Sequence, residues 1–375
     1  MNDSPPDAEL LDLLALSLVP GLGPRLTQAL LNRFGSASAA RRATPAELQR
    51  VPHIGEKLAY SFAEALQKAD PVAEWRKVNE FGVRLVTRKS TDYPTRLAEL
   101  PDAPQLMYVR GGLIAADQSA VAIVGSRKCT AYGQRIATRL AAGLARAGHT
   151  VISGLALGID GAAHRGALEG QGRTIAVLAG GLSSIYPPEH VDLAEQVAAN
   201  GALVTESAMS MEPQRGMFHS RNRLISGLAR AVVIVEANDH SGALITARHG
   251  LEQGRDVFAL PANVDSVHSA GSLRLLREGA KLIRHVDDLL EDLDGLRTAS
   301  KPTRPNASPP MAPPAPPPVL DETQQKVWDL LSEPKHQDEI TRGLGIPSGE
   351  VAKLLLMMEM KKLIRRAPGS MYERR

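Results

Sequence analysis

The sequence predicts an α/β fold, a doubly wound and mostly parallel sheet with an all-helical segment before it and a small helical module after it. Six short apolar runs, AVAIVGS, HTVISG, TIAVLAG, GALVTES, AVVIVEA and DVFALP, each read as a strand buried on both faces. Between them lie stretches of helical period, YGQRIATRLAAGLARAG, DGAAHRGALEGQG, LAEQVAANG and GALITARHGLEQG. Strand and helix alternating at that spacing argue for parallel order. The third observation is a break in composition. Nine prolines fall between Arg297 and Val319 with almost no large apolar side chain, so this stretch reads as an extended linker.

These divisions set expected boundaries at 8–70 for the helical segment, 71–293 for the sheet, 297–319 for the linker and 320–375 for the last module. A chain of 375 residues with 43% apolar and 23% charged positions has the balance of a soluble protein of two or three domains. It contains no run of ~18 apolar residues for a membrane span. The opening MNDSPPDAEL lacks the basic and apolar regions of a signal peptide. A single cysteine, Cys129, excludes a disulfide framework and a Cys-rich zinc module, and points to a reducing cytoplasm. No histidine spacing suggests a metal. Net charge is only +3, but the last fifteen residues hold six Lys or Arg against one Glu. Such a tail suits a nucleic-acid or partner surface, and equally a solvated terminus.

Within the first seventy residues a weak repeat appears. VPGLGPRL and VPHIGEKL each follow one amphipathic pattern and open another. Pro20 and Pro52 stop the first helix of each pair, and Gly21, Gly23 and Gly55 permit a tight turn. The pattern resembles the helix-hairpin-helix unit, whose backbone amides hold a DNA phosphate. The first copy matches better, since His53 stands where the pattern prefers Gly. A helical interaction domain without DNA contacts is the other reading.

Ligands of doubly wound sheets bind beyond the carboxyl ends of the strands. The first of the six strands ends in Gly125-Ser126-Arg127-Lys128, with a helix starting near Thr130. A glycine for close approach, a hydroxyl, a guanidinium fork and a helix N-terminus suit a phosphate. Neither G-x-G-x-x-G nor GK[ST] is present, so a nucleotide cofactor is not expected. The second strand runs into Ser153-Gly154, then Asp160 and His164. Asp160 reads better as a helix N-cap than as part of a hydrolytic triad. Cys129 reads as inert packing rather than a nucleophile.

A third cluster is more informative. Arg215, Phe218, Arg221, Asn222 and Arg223 lie within nine residues, beside an apolar helical pattern. Arginines hold phosphates, and an aromatic ring can stack on an unpaired base. The alternative, a core Phe218 with arginines paired to nearby acids, accounts for any one of these residues better than for the set.

Together AIVGSRKCTAYG, VISGLALGIDGAAH, TIAVLAGGLSSIYPPEH, RNRLISGL, VVIVEANDHSGALITARHGLEQGRDVFALP and GSLRLLREGA resemble the DNA-processing protein A family, DprA, also called Smf. The match spans about two hundred residues in consistent order. The resemblance implies an extended Rossmann-like domain and a non-enzymatic protein that binds single-stranded DNA. It further implies protection of incoming strands during natural transformation, displacement of single-strand-binding protein, loading of the recombinase RecA, and a homodimer. DNA contacts carry over onto Gly125, Ser126 and Arg127 with Lys128 beside them, and onto Arg215, Phe218, Arg221, Asn222 and Arg223. Ser153-Gly154 and Ser241-Gly242 match positions lining the same pocket. Departures are Ala262 after Pro261 where the family has Gly, Leu273 where it has Asn, and His219 where a proline is common.

After the linker, ETQQKVWDLL, HQDEITRGLGIPSGEVAKLLLMMEMKKLIRR and GSMYERR read as three helices and a hairpin, the pattern of a winged helix. Ser348 is a plausible cap for the last helix. The module reads either as a DNA contact through its basic wing, compatible with some affinity for duplex DNA, or as a protein-binding or dimer-tuning piece. Glu350, Lys353, Met357 and Glu359 make a poor base-reading face. A different class, a Rossmann-like nucleotide hydrolase of the phosphoribohydrolase type, needs a PGGxGTxxE stretch. LAGGLSSIYPPEH has neither the Gly-Thr pair nor the spaced Glu.

Overall fold

The computed structural model describes residues 6–299, 321–331, 333, 335–361, 363–367 and 371–374, and side chains of 294–299, 360, 366 and 367 are outside that description. The proline-rich segment 300–320 lies outside the described residues. The chain forms two compact units, Met1–Lys301 and Pro302–Arg375.

The first unit opens with α1 (Ala8–Ser17), α2 (Pro24–Phe34), α3 (Ala37–Arg41), α4 (Pro45–Leu48), α5 (Glu56–Lys68) and α6 (Pro71–Glu80). Leu16, Leu30, Leu48, Phe62 and Leu66 close a core among the first five helices. The two hairpins are α1–α2 and α4–α5. Gly21 takes a φ of 79°, and His53 takes the same left-handed turn at 67°. The substitution in the second hairpin is therefore absorbed at the backbone.

Then come β1 (Val83–Thr87), α7 (Thr95–Ala98), β2 (Leu106–Gly111), β3 (Val121–Val124), α8 (Ala131–Arg146), β4 (Val151–Ser153), α9 (Ile159–Glu169), β5 (Thr174–Val177), α10 (Val191–Asn200) and β6 (Ala202–Thr205). The unit ends with α11 (Arg215–Leu228), β7 (Ala231–Ile234), α12 (Ala243–Glu252), β8 (Asp256–Ala259), α13 (Ala270–Arg277), β9 (Lys281–Leu282) and α14 (Val286–Ala299). The first three residues of the expected linker thus complete α14. All six strands read from the sequence are present as β3 to β8, and β1, β2 and β9 extend the sheet.

The sheet order is β1-β2-β6-β5-β4-β3-β7-β8-β9. Pairing is parallel from β6 to β9, while β2 runs antiparallel to β6 and β1 antiparallel to β2. Alternate residues of each strand feed opposite cores. Val121, Ile123 and Val233 pack with α8, α9 and α14. Ala122, Val124, Val232 and Ile234 pack with α7, α11, α12 and α13. Burial on both faces explains the continuous apolar runs. The helical segment docks on the sheet through Leu14 and Val78, against Val83, Tyr108 and Leu203. Gln28 on α2 also accepts hydrogen bonds from Arg88 and Gln105, each at 2.8 Å.

From β3 the chain builds outward to β6 and then crosses through α11 to β7 on the other side of β3. The crevice between the ends of β3 and β7 is therefore the switch point, where doubly wound sheets take ligands.

The second unit contains α15 (Glu322–Leu330), β10 (Lys335–His336), α16 (Gln337–Leu344), α17 (Ser348–Met360), β11 (Ile364–Ala367) and β12 (Met371–Arg374), with strand order β10-β12-β11. Val327, Ile340, Val351, Leu355, Met358 and Tyr372 fill its core. This is the winged-helix arrangement. Ser348 is the first helical residue rather than the cap, which is Pro347. A proline preceding the helix fixes the entry without a side-chain bond.

Candidate nucleic-acid interface

At the switch point the loop after β3, the N-terminal half of α11 and the loop after β7 enclose a cleft of about 760 Å³. Its lining brings together Gly125, Ser126, Arg127, Lys128, Arg215, Phe218, Arg221, Asn222, Ser241 and Gly242. Ten positions named from the sequence thus converge, although they come from three separate stretches.

Helical spacing explains the α11 contribution. Arg215, Phe218, Asn222 and Ile225 share one face and line the cleft. Arg215 occupies the first residue of α11 and is exposed, so the helix dipole adds to its positive field. Arg127 and Lys128 are exposed, and neither side chain forms an ion pair among the described residues. The Arg127 guanidinium carbon lies 4.5 Å from the Phe218 ring centroid. Such stacking leaves its N–H edge available to phosphate. Asn222 is held by donating to the Gly242 carbonyl at 3.2 Å. Ser241 caps the turn into α12 by accepting from the Ala243 amide at 3.3 Å.

Arg221 plays a different part. It is 5% exposed and donates to the carbonyls of Gly154, at 2.6 Å, and Val177. Burial pushes its guanidinium down to about 10, with Asp160 opposing the shift and Arg127 adding to it. Asp160, itself pushed up by burial and held down by Arg221, accepts from the Gly154 amide at 3.2 Å. The N-cap role expected for Asp160 is corrected by this geometry. It lies inside α9, whose cap is Gly158 at a φ of 79°, and a side chain on Gly158 would collide with the Ser126 carbonyl. Only glycine allows that approach.

Ser153 and Gly154 lie behind the cleft rather than on its wall. Ser153 is fully buried and donates to the Ile123 carbonyl at 2.6 Å. Gly154 contributes to a smaller slot bounded by Arg127, Tyr186, Phe218 and Arg221. Arg223 points to the other side of α11. Five residues on from Phe218 is about 140° around a helix, and there it pairs with Glu206 and donates to the Asp102 carbonyl at 2.7 Å. That side opens on a second cleft, of about 610 Å³, shared with the α1–α2 hairpin from Val19 to Pro24.

At the helix N-terminus expected to offer free amides, those of Thr130 and Gly133 are engaged within the protein. Glu236, at the end of β7, accepts from the Thr130 amide at 2.7 Å and from the Thr130 hydroxyl at 2.9 Å. Thr130 in turn caps the Gly133 amide at 3.1 Å.

Sequence reasoning missed Glu236 and Tyr186. The first was visible as an acid at the end of an apolar strand, AVVIVEA, as Glu206 is in GALVTES. Tyr186, 49% exposed, stands 6.1 Å from Phe218 between centroids at a tilt of 60°, and an exposed ring is notable in a chain with 3% aromatics. The Ser153, Asp160 and His164 cluster does not form a triad. His164 is buried against the Thr174 hydroxyl at 2.7 Å, and burial holds its imidazole down to about 3. Burial and Glu236 push the Cys129 thiol up, so its thiolate is disfavoured. No cluster of three metal-ligating side chains occurs among the described residues, and no helix there is long and apolar enough to cross a membrane.

In the second unit, the exposed face of α17 carries Lys353 with Leu356 and Met357, which are 58% and 43% exposed. Of the basic tail, Arg365 pairs with Glu373 at 2.5 Å and Arg374 donates to the Trp328 carbonyl. Positions 362, 368–370 and 375 lie outside the described residues.

The fold and the cleft define a Rossmann-like protein with a cationic, aromatic strand-end site, preceded in the chain by a helix-hairpin-helix module and followed by a winged-helix module. The family model for DNA recombination-mediator protein A matches residues 84–294, more than half the chain. Those for the DprA winged helix domain and the SAM-like helix-hairpin-helix tandem match 311–370 and 12–68. The chain belongs to the DprA/Smf family. Protein Smf of Synechocystis is 34% identical over 96% of this chain and 98% of its own length. DNA processing protein DprA of Bacillus subtilis is 38% identical over 57% of this chain and 72% of its own. The structure of DprA from Streptococcus pneumoniae superposes with a TM-score of 0.66 at 30% identity, covering 77% of this chain and 99% of that one. DprA from Helicobacter pylori, described for its single-stranded DNA binding mode, gives 0.51 at 30% identity over 58% of this chain and 97% of that one.

Proposed function

We propose that this protein binds single-stranded DNA at the strand-end cleft, protects it, and loads RecA onto it during natural transformation and recombination, without catalysing a reaction. The observation that carries the reading is the gathering of exposed Arg127, Lys128 and Arg215 in one cleft with Phe218, whose ring Arg127 covers, at the switch point. Cations that track a backbone beside a stacking platform suit an unpaired strand of any sequence. The single-stranded DNA binding attributed to the Helicobacter pylori relative supports the same assignment. Homodimerisation, displacement of single-strand-binding protein and a cytoplasmic setting belong to this proposal through family membership. The neutral, buried His164 and the disfavoured Cys129 thiolate favour a binding role over a hydrolytic one.

Fluorescence anisotropy with a labelled oligo-dT strand at two salt concentrations tests the binding. Tight binding that weakens steeply with salt is expected, because counterions leave the strand. Absence of binding at low salt overturns the reading. The RecA step is tested by following filament growth on strands coated with single-strand-binding protein, which should accelerate when this protein is added.

A further inference from the structure

We propose that Glu236 is the positioning residue of the strand-end site, pinning both ends of the loop that carries Arg127 and Lys128. The inference rests on the reading of that cleft as a single-strand site.

Glu236 is 3% exposed at the end of β7, across the switch point from β3. Its backbone carbonyl accepts from the Ser126 amide at 2.7 Å, at the start of the loop. Its carboxylate accepts from the Thr130 amide and hydroxyl, at 2.7 and 2.9 Å, at the loop's end. One residue therefore holds positions 126 and 130, and between them Arg127 and Lys128 are presented at the cleft while Cys129 packs against the core below. Gly133 completes the arrangement, since a side chain there would collide with the carboxylate. Between the pins the loop has little slack. Lys128 donates its amide to the Ser126 hydroxyl at 3.1 Å, and the Ser126 carbonyl accepts from the Ile159 amide at 3.2 Å.

A guanidinium on a mobile loop loses conformational entropy when it meets a phosphate. Held over Phe218 beforehand, Arg127 meets the strand already oriented. The carboxylate also engages the cap residue of α8, and the exposed cations beside it are the groups offered to phosphate. Glu236 thus acts on DNA only through Arg127 and its neighbours.

The test is a double-mutant cycle in the full chain, read by oligo-dT anisotropy. Glu236→Gln should lower affinity by about five- to tenfold in the parent, and by less than about twofold where Arg127→Ala is already present. Thr130→Val should act in the same direction more weakly, while Thr130→Ser, which keeps the hydroxyl, should restore parental affinity. An equal loss in both Arg127 backgrounds means Glu236 merely stabilises the fold and overturns the proposal. So does an unchanged affinity in a variant that melts cooperatively. If Glu236→Gln does not fold, the Thr130 pair decides in the same two backgrounds. Failure of the parent to bind oligo-dT is a separate result, which removes the single-strand reading itself.

Discussion

The guanidinium of Arg127 lies over the ring of Phe218, 4.5 Å from its centroid, although the two residues come from opposite sides of the switch point. The pair unites the two kinds of contact a single strand requires. In the proposed function the cation serves the backbone and the ring a base. Tyr186 stands beside Phe218 at 6.1 Å and widens the platform.

Arg127→Ala should therefore weaken oligo-dT binding by about tenfold and lower the slope of log affinity against log salt by about one. Anisotropy titrations across a salt series measure both. An unchanged slope would place the strand on another surface.

Phe218→Ala should cost the stacking of one base, about 1–3 kcal/mol, while Phe218→Tyr keeps most of it. The salt slope should stay near the parental value, since no charge is removed. A strand bearing abasic positions should bind the parent and Phe218→Ala alike, which separates lost stacking from lost fold.

Arg223→Met is expected to behave oppositely to Arg127→Ala. Arg223 is 7% exposed and paired with part-buried Glu206, so its removal leaves that carboxylate without its partner. Breaking a fully buried pair costs about 3 kcal/mol or more, and a partly exposed one less. Thermal melting should fall by several degrees, while the salt slope of DNA binding in the folded protein stays unchanged. A lowered slope in a fully stable variant would place Arg223 at the strand instead.

His164 makes stability depend on pH. Burial, then the charges of His190, Arg221 and Arg165, hold its imidazole down to about 3 from an ordinary 6.5. Below pH 6.5 the unfolded chain takes up a proton that the folded one refuses, so stability falls with falling pH by about 1.4 kcal/mol per unit. Buried Asp160 and Glu206, pushed up by burial, contribute in the opposite sense. The comparison with His164→Gln isolates the histidine. Urea midpoints between pH 7 and pH 5 should drop more steeply in the parent than in the variant, and parallel curves would contradict this.

Much of the site was legible in the sequence because its parts are local. GSRK follows an apolar strand, and Arg215, Phe218 and Asn222 repeat at helical spacing, so linear order alone placed both segments near strand ends. The same order could not say which side of α11 each arginine takes. It grouped Arg223 with Arg221 and Arg215, whereas the helix turns Arg223 towards Glu206 and buries Arg221 on the carbonyls of Gly154 and Val177.

The periodicities of strand and helix, the glycine turns of the hairpins and the proline-rich break are properties of neighbouring residues, and they were sufficient for the six central strands and their order, while the family came from the resemblance of the motifs between them. Which charges remain available depends on partners far away in the chain. Glu236 reaches Thr130 across 106 positions, and by doing so engages the cap residue of the helix that the local motif opens. Such pairings form only when the sheet brings β3 and β7 side by side, because a buried carboxylate must find donors wherever packing supplies them.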